Sequence, residues 1–202
     1  MPRPQTYQRD DVVESAKRAF WARGFDGTAI TDLEEATGLS RSSIYAGFGT
    51  KRGLFDVALD QYSESFIIPL LSPMEREGAG SNEIAAFFLN VKGVLLRDPV
   101  SGQRGCLMVN SVAEMAGRQN GDTESRGVAY RDRLRGAFWN ALKGTASSGE
   151  IEPSAVGQWA ALLGAATFGV WLTARLDPVD AAGVCDQIVA EVRSWRSGPS
   201  GK

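Results

Sequence analysis

Hydroxyl and basic side chains are concentrated between Ser40 and Leu54, where the chain has no Asp or Glu. The bases are Arg41, Lys51 and Arg52, and serines stand at the start of the stretch. Serine hydroxyls and arginine guanidinium groups donate hydrogen bonds to base edges and to phosphate oxygens. Because an ordinary solvated helix mixes both signs of charge, this stretch predicts a face that lies against a negatively charged partner.

Histidine is absent from the 202 residues, which excludes histidine-based acid-base catalysis, Ser-His-Asp arrangements and most zinc or iron sites. The sequence has no phosphate-binding loop, no Gly-x-Gly-x-x-Gly motif and no Cys-x-x-Cys pair. We therefore expect no catalytic residues, no metal site and no cofactor. The net charge of −2 leaves nucleic-acid binding open, since a local basic face can sit on a mildly acidic chain.

Cysteine usage and the N-terminal residues indicate a cytoplasmic protein. No apolar run follows Met1, and the two cysteines, Cys106 and Cys185, are expected to be reduced thiols. The segment from Ser154 to Ala174 contains no charged residue and is long enough to cross a bilayer. Its glycines, threonines and many alanines indicate a buried or interface helix instead, so we expect no membrane partner.

Apolar residues recur at helical period along most of the chain, and strand signals are few. We predict an all-α protein of about nine helices. The first three predicted helices are Arg9–Arg23, ended by Gly24, then Asp32–Thr37, capped by Thr31, and a short helix capped by Ser40 that reaches about Phe48.

A longer helix is expected to begin at Thr50 or Lys51 and to reach toward Pro69. Chain breaks are predicted where proline and glycine are concentrated, at Ser72–Pro73 with Glu77–Gly80, at Asp98–Gly102, between Gly117 and Gly127 and between Gly144 and Pro153. The remaining predicted helices are Asn82–Arg97, Arg104–Ala116, Arg126–Thr145, Pro153–Leu176 and Val179–Trp195.

Two short helices joined by a glycine-containing turn and packed on a longer first helix describe a helix-turn-helix unit. Small side chains let its second helix approach the major groove of DNA closely, and unpaired amides at helix N-termini attract phosphate oxygens. Tyr45 has a ring that can pack inward and a hydroxyl that can reach the DNA backbone. The negatively charged partner predicted for this stretch is therefore double-stranded DNA.

The residues of this unit resemble the N-terminal signature of the tetracycline-repressor (TetR) family over about Arg9 to Phe55. The residues that carry the resemblance are Phe20, Arg23-Gly24-Phe25, Gly27-Thr28, Ile30, Asp32-Leu33, Ala36, Thr37-Gly38-Leu39-Ser40, Ile44-Tyr45, Phe48, Lys51 and Leu54-Phe55. Ala46 and Gly47 depart from the bulky or polar residues of many members, which leaves more of the base reading to Arg41, Ser42 and Ser43.

The resemblance implies an all-helical homodimeric transcription regulator, most often a repressor, that a small molecule releases from a palindromic operator. It implies a DNA-binding domain over residues 1–55 and a ligand-binding and dimerisation domain over 56–196, and we expect 197–202 to be a disordered tail. The expected DNA contacts are Thr28, Thr31, Ser40, Arg41, Ser42, Ser43, Tyr45 and Lys51.

The segment Gly105–Asn110, with Ala113 and Glu114, resembles the helix that opens the ligand cavity in a branch of the family. Aromatic side chains can stack a planar ligand, and a buried amide such as that of Asn110 can orient it. The expected pocket residues are Phe87, Phe88, Cys106, Asn110, Phe138, Trp159 and Phe168. Since no arginine or lysine is assured of reaching this pocket, we expect a hydrophobic effector and no charged metabolite.

A stripe of small residues on the Pro153–Leu176 helix predicts the dimer interface. Gly157, Ala161, Ala165 and Gly169 recur every four residues, which lets a partner helix approach closely. Trp159, Leu162, Leu163 and Ala166 are expected to point inward. The expected interface residues are Ala161, Ala165 and Gly169.

Two alternative functions stay open at this point. Cys106 could sense oxidants or electrophiles, because Arg104 and a predicted helix N-terminus would both lower the pKa of its thiol. The alternative role of Cys106 is that of a small buried residue lining the pocket. An enzyme or another binding module on the same helical scaffold is the second alternative, and loss of the basic face would favour it.

Overall fold

The computed structural model describes residues 8–115 and 121–197, and within these ranges the chain is helical with connecting turns and no β-strand. This confirms the all-α prediction. The helices are α1 (Arg9–Arg23), α2 (Ile30–Thr37), α3 (Arg41–Phe48), α4 (Lys51–Tyr62), α5 (Ile68–Glu75), α6 (Ser81–Leu95), α7 (Pro99–Gln103), α8 (Leu107–Met115), α9 (Gly121–Ser147), α10 (Val156–Ala174) and α11 (Pro178–Ser194). A π turn (Ser63–Ile67) joins α4 to α5, and short 3₁₀ turns occupy Pro153–Ala155 and Trp195–Ser197.

The predicted number of helices is confirmed for the described part of the chain. Helix α4, the π turn and α5 form one continuous rod from Lys51 to Glu75, and α7 is a single turn of 5 residues. Counted in this way, the described ranges contain nine principal helices, three of which form the N-terminal unit.

The N-terminal unit closes around an aromatic and aliphatic core. Phe20 of α1 meets Phe55 of α4 edge to face, with 4.9 Å between ring centroids. Leu33 of α2, Ile44 of α3 and Leu54 of α4 are fully buried in the same core. Because α4 contributes to this core and continues beyond residue 55, one helix carries the chain across the proposed domain boundary.

Two aromatic rings, one just before the π turn and one within it, pack on other helices. The amide of Ile68 bonds to the carbonyl of Ser63, five residues back instead of four. Pro69 follows and has no amide to donate, so the helix loses no donor where its hydrogen-bond register changes. Tyr62 packs on Trp21 of α1 at 5.1 Å, and Phe66 packs on Trp171 of α10 at 6.1 Å.

The C-terminal bundle packs α10 against α9 and α11, while α6 covers α11 and α5 covers α9. Its largest fully buried side chains include Trp171, Phe88 and Phe138. These rings occupy the centre of the bundle, so the long apolar helix α10 has one side in the core and another side that faces away from it.

Two boundaries in the first half of the chain differ from the sequence predictions. Thr31 does not cap α2, because the helix begins at Ile30, two residues before the predicted start, and the Asp32 carboxylate accepts the Ala29 amide at 2.7 Å. The break predicted at Ser72–Pro73 is also wrong, because Pro73 lies inside α5, whereas its second part, Glu77–Gly80, does separate α5 from α6. Leu71 and Met74 on either side are buried, and this packing outweighs the local penalty of the proline.

The break predicted between Gly117 and Gly127 is wrong for its second half, since α9 already begins at Gly121. A Cβ at Gly127 would lie 2.5 Å from Cγ2 of Val112, so this glycine permits close packing of α9 on α8. Residues 116–120 lie outside the described part of the chain. The predicted tail does too, apart from Ser197, which ends the last 3₁₀ turn.

Candidate DNA-binding surface and effector region

Helix α3 is held at both ends by local hydrogen bonds. Ser40 Oγ accepts the amide of Ser43 at 3.3 Å, which confirms its predicted capping role, and Glu34 Oε1 accepts the amide of Arg41 at 2.6 Å. At the other end the Gly49 amide bonds to the Tyr45 carbonyl at 2.9 Å. The amides of Arg41 and Ser43 therefore already have acceptors, and they are not the free phosphate-binding groups expected from the sequence.

The inner side of α3 anchors it to α1 and α4. Ile44 is fully buried, and Phe48 is half-buried against the same core. The Arg9 guanidinium stacks 4.7 Å from the Phe48 ring centroid, and its Nη1 donates to the Gly47 carbonyl at 3.4 Å. These contacts fix the orientation of a helix of 8 residues that is too short to be stable alone.

The outer side of α3 is exposed and carries no acid. Arg41, Ser42, Tyr45 and Ala46 all face solvent, with Tyr45 37% exposed. The Arg41 guanidinium lies 5.5 Å from the Tyr45 ring centroid, one helical turn away. This surface combines one cation, hydroxyl groups and small side chains, which suits close contact with a DNA groove.

The bases that follow α3 differ in their surroundings. Lys51 Nζ lies 4.4 Å from the Phe25 ring centroid and the side chain is half-buried. Arg52 is ion-paired with Asp56 at 3.1 Å. Lys51 therefore stands at the start of α4 with an aromatic partner, whereas the charge of Arg52 is compensated by a carboxylate.

Two predicted DNA contacts precede α3. Thr28 is fully buried and its hydroxyl donates to the Gly24 carbonyl at 2.6 Å, so its side chain belongs to the turn after α1 and not to the presented surface. Thr31 is exposed near the start of α2. Of the remaining predicted contacts, Ser40 is exposed and Ser43 is half-buried.

Sequence reasoning did not find the residues that fasten the N-terminal unit to the bundle. Glu114 of α8 accepts the amides of Phe25 and Asp26 at 2.9 and 2.8 Å. Arg126 of α9 bonds both carboxylate oxygens of Asp60 on α4, at 2.9 and 3.1 Å. These pairings join residues far apart in the sequence, and no local motif signals them.

The aromatic residues predicted to surround an effector do not surround one space. Phe87, Phe88 and Phe138 pack on one another with centroid distances of 5.0 to 5.9 Å and are all buried. Trp159 packs instead on Trp195 at 4.9 Å, and Phe168 packs on Tyr130 at 5.6 Å. The first three are therefore core residues in this structure, and the single pocket drawn from the sequence is not supported.

Cys106 is a buried side chain immediately before α8. Its Sγ accepts the hydroxyl of Tyr62 at 3.4 Å. Burial raises the pKa of the Cys106 thiol, although the Tyr62 hydroxyl and the amides of Val109 and Met108 act in the opposite direction. The expectation of a lowered pKa is wrong, because the rise that burial causes is larger than the lowering by the amides at the start of α8.

Asn110, the other polar residue of the predicted pocket, bonds within its own segment. Its Nδ2 donates to the Arg104 carbonyl at 2.7 Å, and its Oδ1 is buried without a partner among the described residues. Trp21 Nε1 donates to the same Arg104 carbonyl at 3.1 Å. The loop before α8 is thus tied to α1 through one shared carbonyl.

A cleft of about 400 Å³ lies where α1 meets α8 and the end of α10. Its lining includes Trp21, Leu107, Leu172, Asn110, Glu114 and Arg175. Arginine therefore does reach a cleft that contains Asn110, contrary to the expectation that cations are absent from such a site.

Helix α10 exposes a continuous apolar stripe. The predicted interface residues Ala161, Ala165 and Gly169 are exposed, together with Leu162 (56%) and Leu172 (42%). The expectation that Leu162 points inward is wrong, because it lies beside Ala161 and Ala165 on the outer face. A groove of about 390 Å³ runs between this face and α9 and is lined by apolar residues with Arg131 and Arg135 at its edge.

Within the described residues, Pro153–Ala174 is a helix of sufficient length and apolar character to cross a membrane. In this fold the same helix contributes Leu163, Val170 and Trp171 to the protein core. Its apolar character therefore has a structural role in the bundle as well as on the exposed stripe.

The three-helix unit, in which α3 presents an exposed face without an acid, defines a helix-turn-helix DNA-binding regulator. The family pattern described as "Bacterial regulatory proteins, tetR family" matches residues 12–58. YezE of Bacillus subtilis, an uncharacterized HTH-type transcriptional regulator, is 30% identical over 154 residues, which cover 75% of this chain and 76% of YezE. The chain belongs to the TetR family of transcriptional regulators.

Two further proteins extend the comparison. The HTH-type transcriptional repressor ComR of Escherichia coli is 29% identical over 115 residues, covering 56% of this chain and 54% of ComR, so the match spans about half of that relative. A cysteine mutant of the TetR family regulator CifR, complexed with a 26-base-pair operator, has the same fold with a TM-score of 0.70. It is 22% identical, and the match covers 93% of this chain and 98% of CifR.

Proposed function

We propose that the chain is a homodimeric transcriptional repressor that binds a palindromic operator in the cytoplasm and is released by a small-molecule effector. The observation that carries the proposal is the outer face of α3, which offers Arg41, Ser42 and Tyr45 to a partner and has no acid. The repressor function of ComR and the operator complex of CifR support it by similarity.

The dimer part of the proposal rests on α10. Its exposed stripe is apolar. If two chains pair around a two-fold axis through this stripe, each stripe shields the other from water. Two α3 helices would then meet major grooves about one helical turn, ~34 Å, apart or a multiple of it. The operator would accordingly be an inverted repeat.

The effector part rests on the contacts between the N-terminal unit and the bundle. A ligand that moves α8 or the α4–α5 rod would change the hydrogen bonds that Glu114 and Arg126 make. Its effect is bounded by its difference in affinity for the DNA-bound and released conformations. The walls formed by Trp21, Leu107 and Leu172 favour an effector with an apolar body.

The buried position of Cys106 gives no support to release by oxidants or electrophiles. Its thiol is removed from solvent and its pKa is raised, so the reactive thiolate is scarce at neutral pH. We therefore keep reversible ligand binding as the proposed means of release.

Selection of duplexes from a random library by the purified chain tests the proposal. The expected result is an inverted repeat that binds more tightly than random duplex of the same length at physiological salt. Light scattering on the same preparation is expected to show a dimer at micromolar concentration. Equal affinity for selected and random duplexes would contradict a regulator that reads sequence.

A further inference from the structure

The turn after α1 contains a binding site for a carboxylate, which Glu114 occupies. Two consecutive backbone amides, those of Phe25 and Asp26, each donate to a different oxygen of Glu114, at 2.9 and 2.8 Å. Gly24 has a φ of +76°, and a Cβ there would lie 2.7 Å from Glu114 Oε2. The glycine conformation and the two aligned amides together form a seat for a planar anion.

The seat opens into the cleft of about 400 Å³ between α1, α8 and α10. This volume falls within the ~300–1,000 Å³ range of small-molecule sites. Trp21, Leu107 and Leu172 supply apolar walls, while Glu114 and the main chain near Gly24 supply the polar end. A ligand that fits both parts has one anionic end and an apolar body.

Arg175 adds positive charge to the same cleft. It follows the last residue of α10, is exposed, and has no hydrogen bond or ion pair to an acid in the described ranges 8–115 and 121–197. A Cβ at Gly105 would lie 3.3 Å from Arg175 Cγ, so the absence of a side chain there leaves room for the arginine stem. Arg23, the other guanidinium of the cleft, is already paired with Asp32.

We propose that this cleft binds a small monocarboxylate with an apolar body, and that the ligand carboxylate replaces Glu114 on the amides of Phe25 and Asp26. Arg175 attracts the incoming anion, and the apolar body lies against Trp21 and Leu172. The exchange substitutes a free molecule for a residue of α8, so it removes a direct bond between the bundle and the N-terminal unit. Its role as the release signal rests on the proposed function, whereas binding itself does not.

The exchange predicts that Glu114 and the ligand compete. Glu114 is tethered next to its amides and so has a high effective concentration, which weakens ligand binding in the wild-type chain. Removing the Glu114 carboxylate leaves two charge-binding amides vacant. Because hydrogen bonds to charged groups are among the stronger ones, ligand affinity should rise by about tenfold or more.

Isothermal titration of the full chain without DNA tests this, with phenylacetate, 3-phenylpropionate and octanoate as probes. The uncharged amide of each probe is its matched control. We expect saturable binding of at least one acid and none of its amide, tighter binding by Glu114→Ala, and several-fold weaker binding by Arg175→Gln. Arg193→Gln, which removes an exposed arginine of α11, should bind as the wild type does.

Glu114→Gln keeps the shape of the side chain and decides the matter if Glu114→Ala does not fold by circular dichroism. The neutral side-chain amide of the glutamine competes less well for the backbone amides of Phe25 and Asp26. The acid probe should therefore bind this variant more tightly than it binds the wild type. The proposal is overturned if none of the acids binds to the folded Glu114 variant, if acid and amide bind equally, or if Arg175→Gln changes nothing. Since DNA is absent, a chain that binds the acid but no operator would contradict only the proposed function.

Discussion

The outer faces of α3 and α10 are both exposed in a single chain and are both rich in small residues. The α3 face carries Arg41 and hydroxyl groups, whereas α10 contains no charged residue over its 19 positions. Donor groups and a cation suit an anionic, hydrated partner, while a stripe of alanine, glycine and leucine suits a dry one. The difference shows that small side chains let a partner approach either helix closely. The presence or absence of charged and hydroxyl groups beside them then determines whether that partner is DNA or a second protein chain.

The largest expected effect is on the α10 face, through Ala165→Glu. A glutamate at this exposed position would be buried without a partner between two copies, which should cost about 3–5 kcal/mol and convert the dimer to a monomer. Light scattering at micromolar concentration measures this, and operator affinity should fall with it.

The control for Ala165→Glu is Leu89→Glu, which places the same charge on the exposed side of α6. It should leave the dimer intact. If Ala165→Glu also stays dimeric, the apolar stripe of α10 is not the dimer interface. The assignment of the α10 face to a second copy of the chain is then wrong.

On the α3 face, Arg41→Ala should cost about 1–3 kcal/mol of discrimination between the selected operator and random duplex. The reason is that Arg41 is the only cation on the exposed part of this described helix. Competition binding with the two duplexes measures the ratio. Arg18→Ala, which removes an exposed arginine of α1 paired with Glu14, should leave the ratio unchanged.

A smaller and different change is expected from Lys51→Ala. Loss of a phosphate contact weakens binding to all sequences alike and reduces the slope of log affinity against log salt by about 1. The ratio between operator and random duplex should not move. A changed ratio with an unchanged slope would mean that Lys51 reads bases, which would enlarge the specific surface beyond α3.

The smallest effect on DNA binding and on dimer formation is expected from Cys106→Ser, because this residue lies on neither the α3 face nor the α10 face. The buried thiol has a raised pKa, so we expect little reaction with thiol reagents at neutral pH and unchanged release by a reversible effector. A buried serine hydroxyl should cost only about 1–3 kcal/mol of stability. Release that disappears in this variant for every effective compound would make Cys106 the sensor.

The sequence allowed prediction of α3 and its surroundings because local groups determine them. Ser40 caps the helix from one residue before it, and Gly24 ends α1 at the predicted position. The helical spacing of apolar residues and the glycine at position 24 were sufficient to predict the bounds Arg9–Arg23 of α1.

The effector region could not be predicted in the same way. Phe87, Phe88 and Phe138 are apolar and regularly spaced whether they line a cavity or fill it, and only packing distinguishes the two. Glu114 belongs to the segment that resembles a cavity-opening helix, but its partners are main-chain amides nearly ninety residues away, which the sequence does not indicate. Gly127 predicts a break by its residue type, whereas its function is a close tertiary contact with Val112 that the sequence does not indicate.

The π turn at Ser63–Ile67 has a consequence for how related chains diverge. A five-residue hydrogen bond encloses one residue more than an α-helical one, so the turn accommodates a single extra residue without rotating the helix beyond it by the ~100° that insertion into an unbroken α-helix causes. A related chain that lacks this one residue would keep the contacts of Tyr62 before the turn and those of α5 after it. Alignment with relatives whose corresponding helix is uninterrupted should therefore show a one-residue gap here and no compensating change on either side.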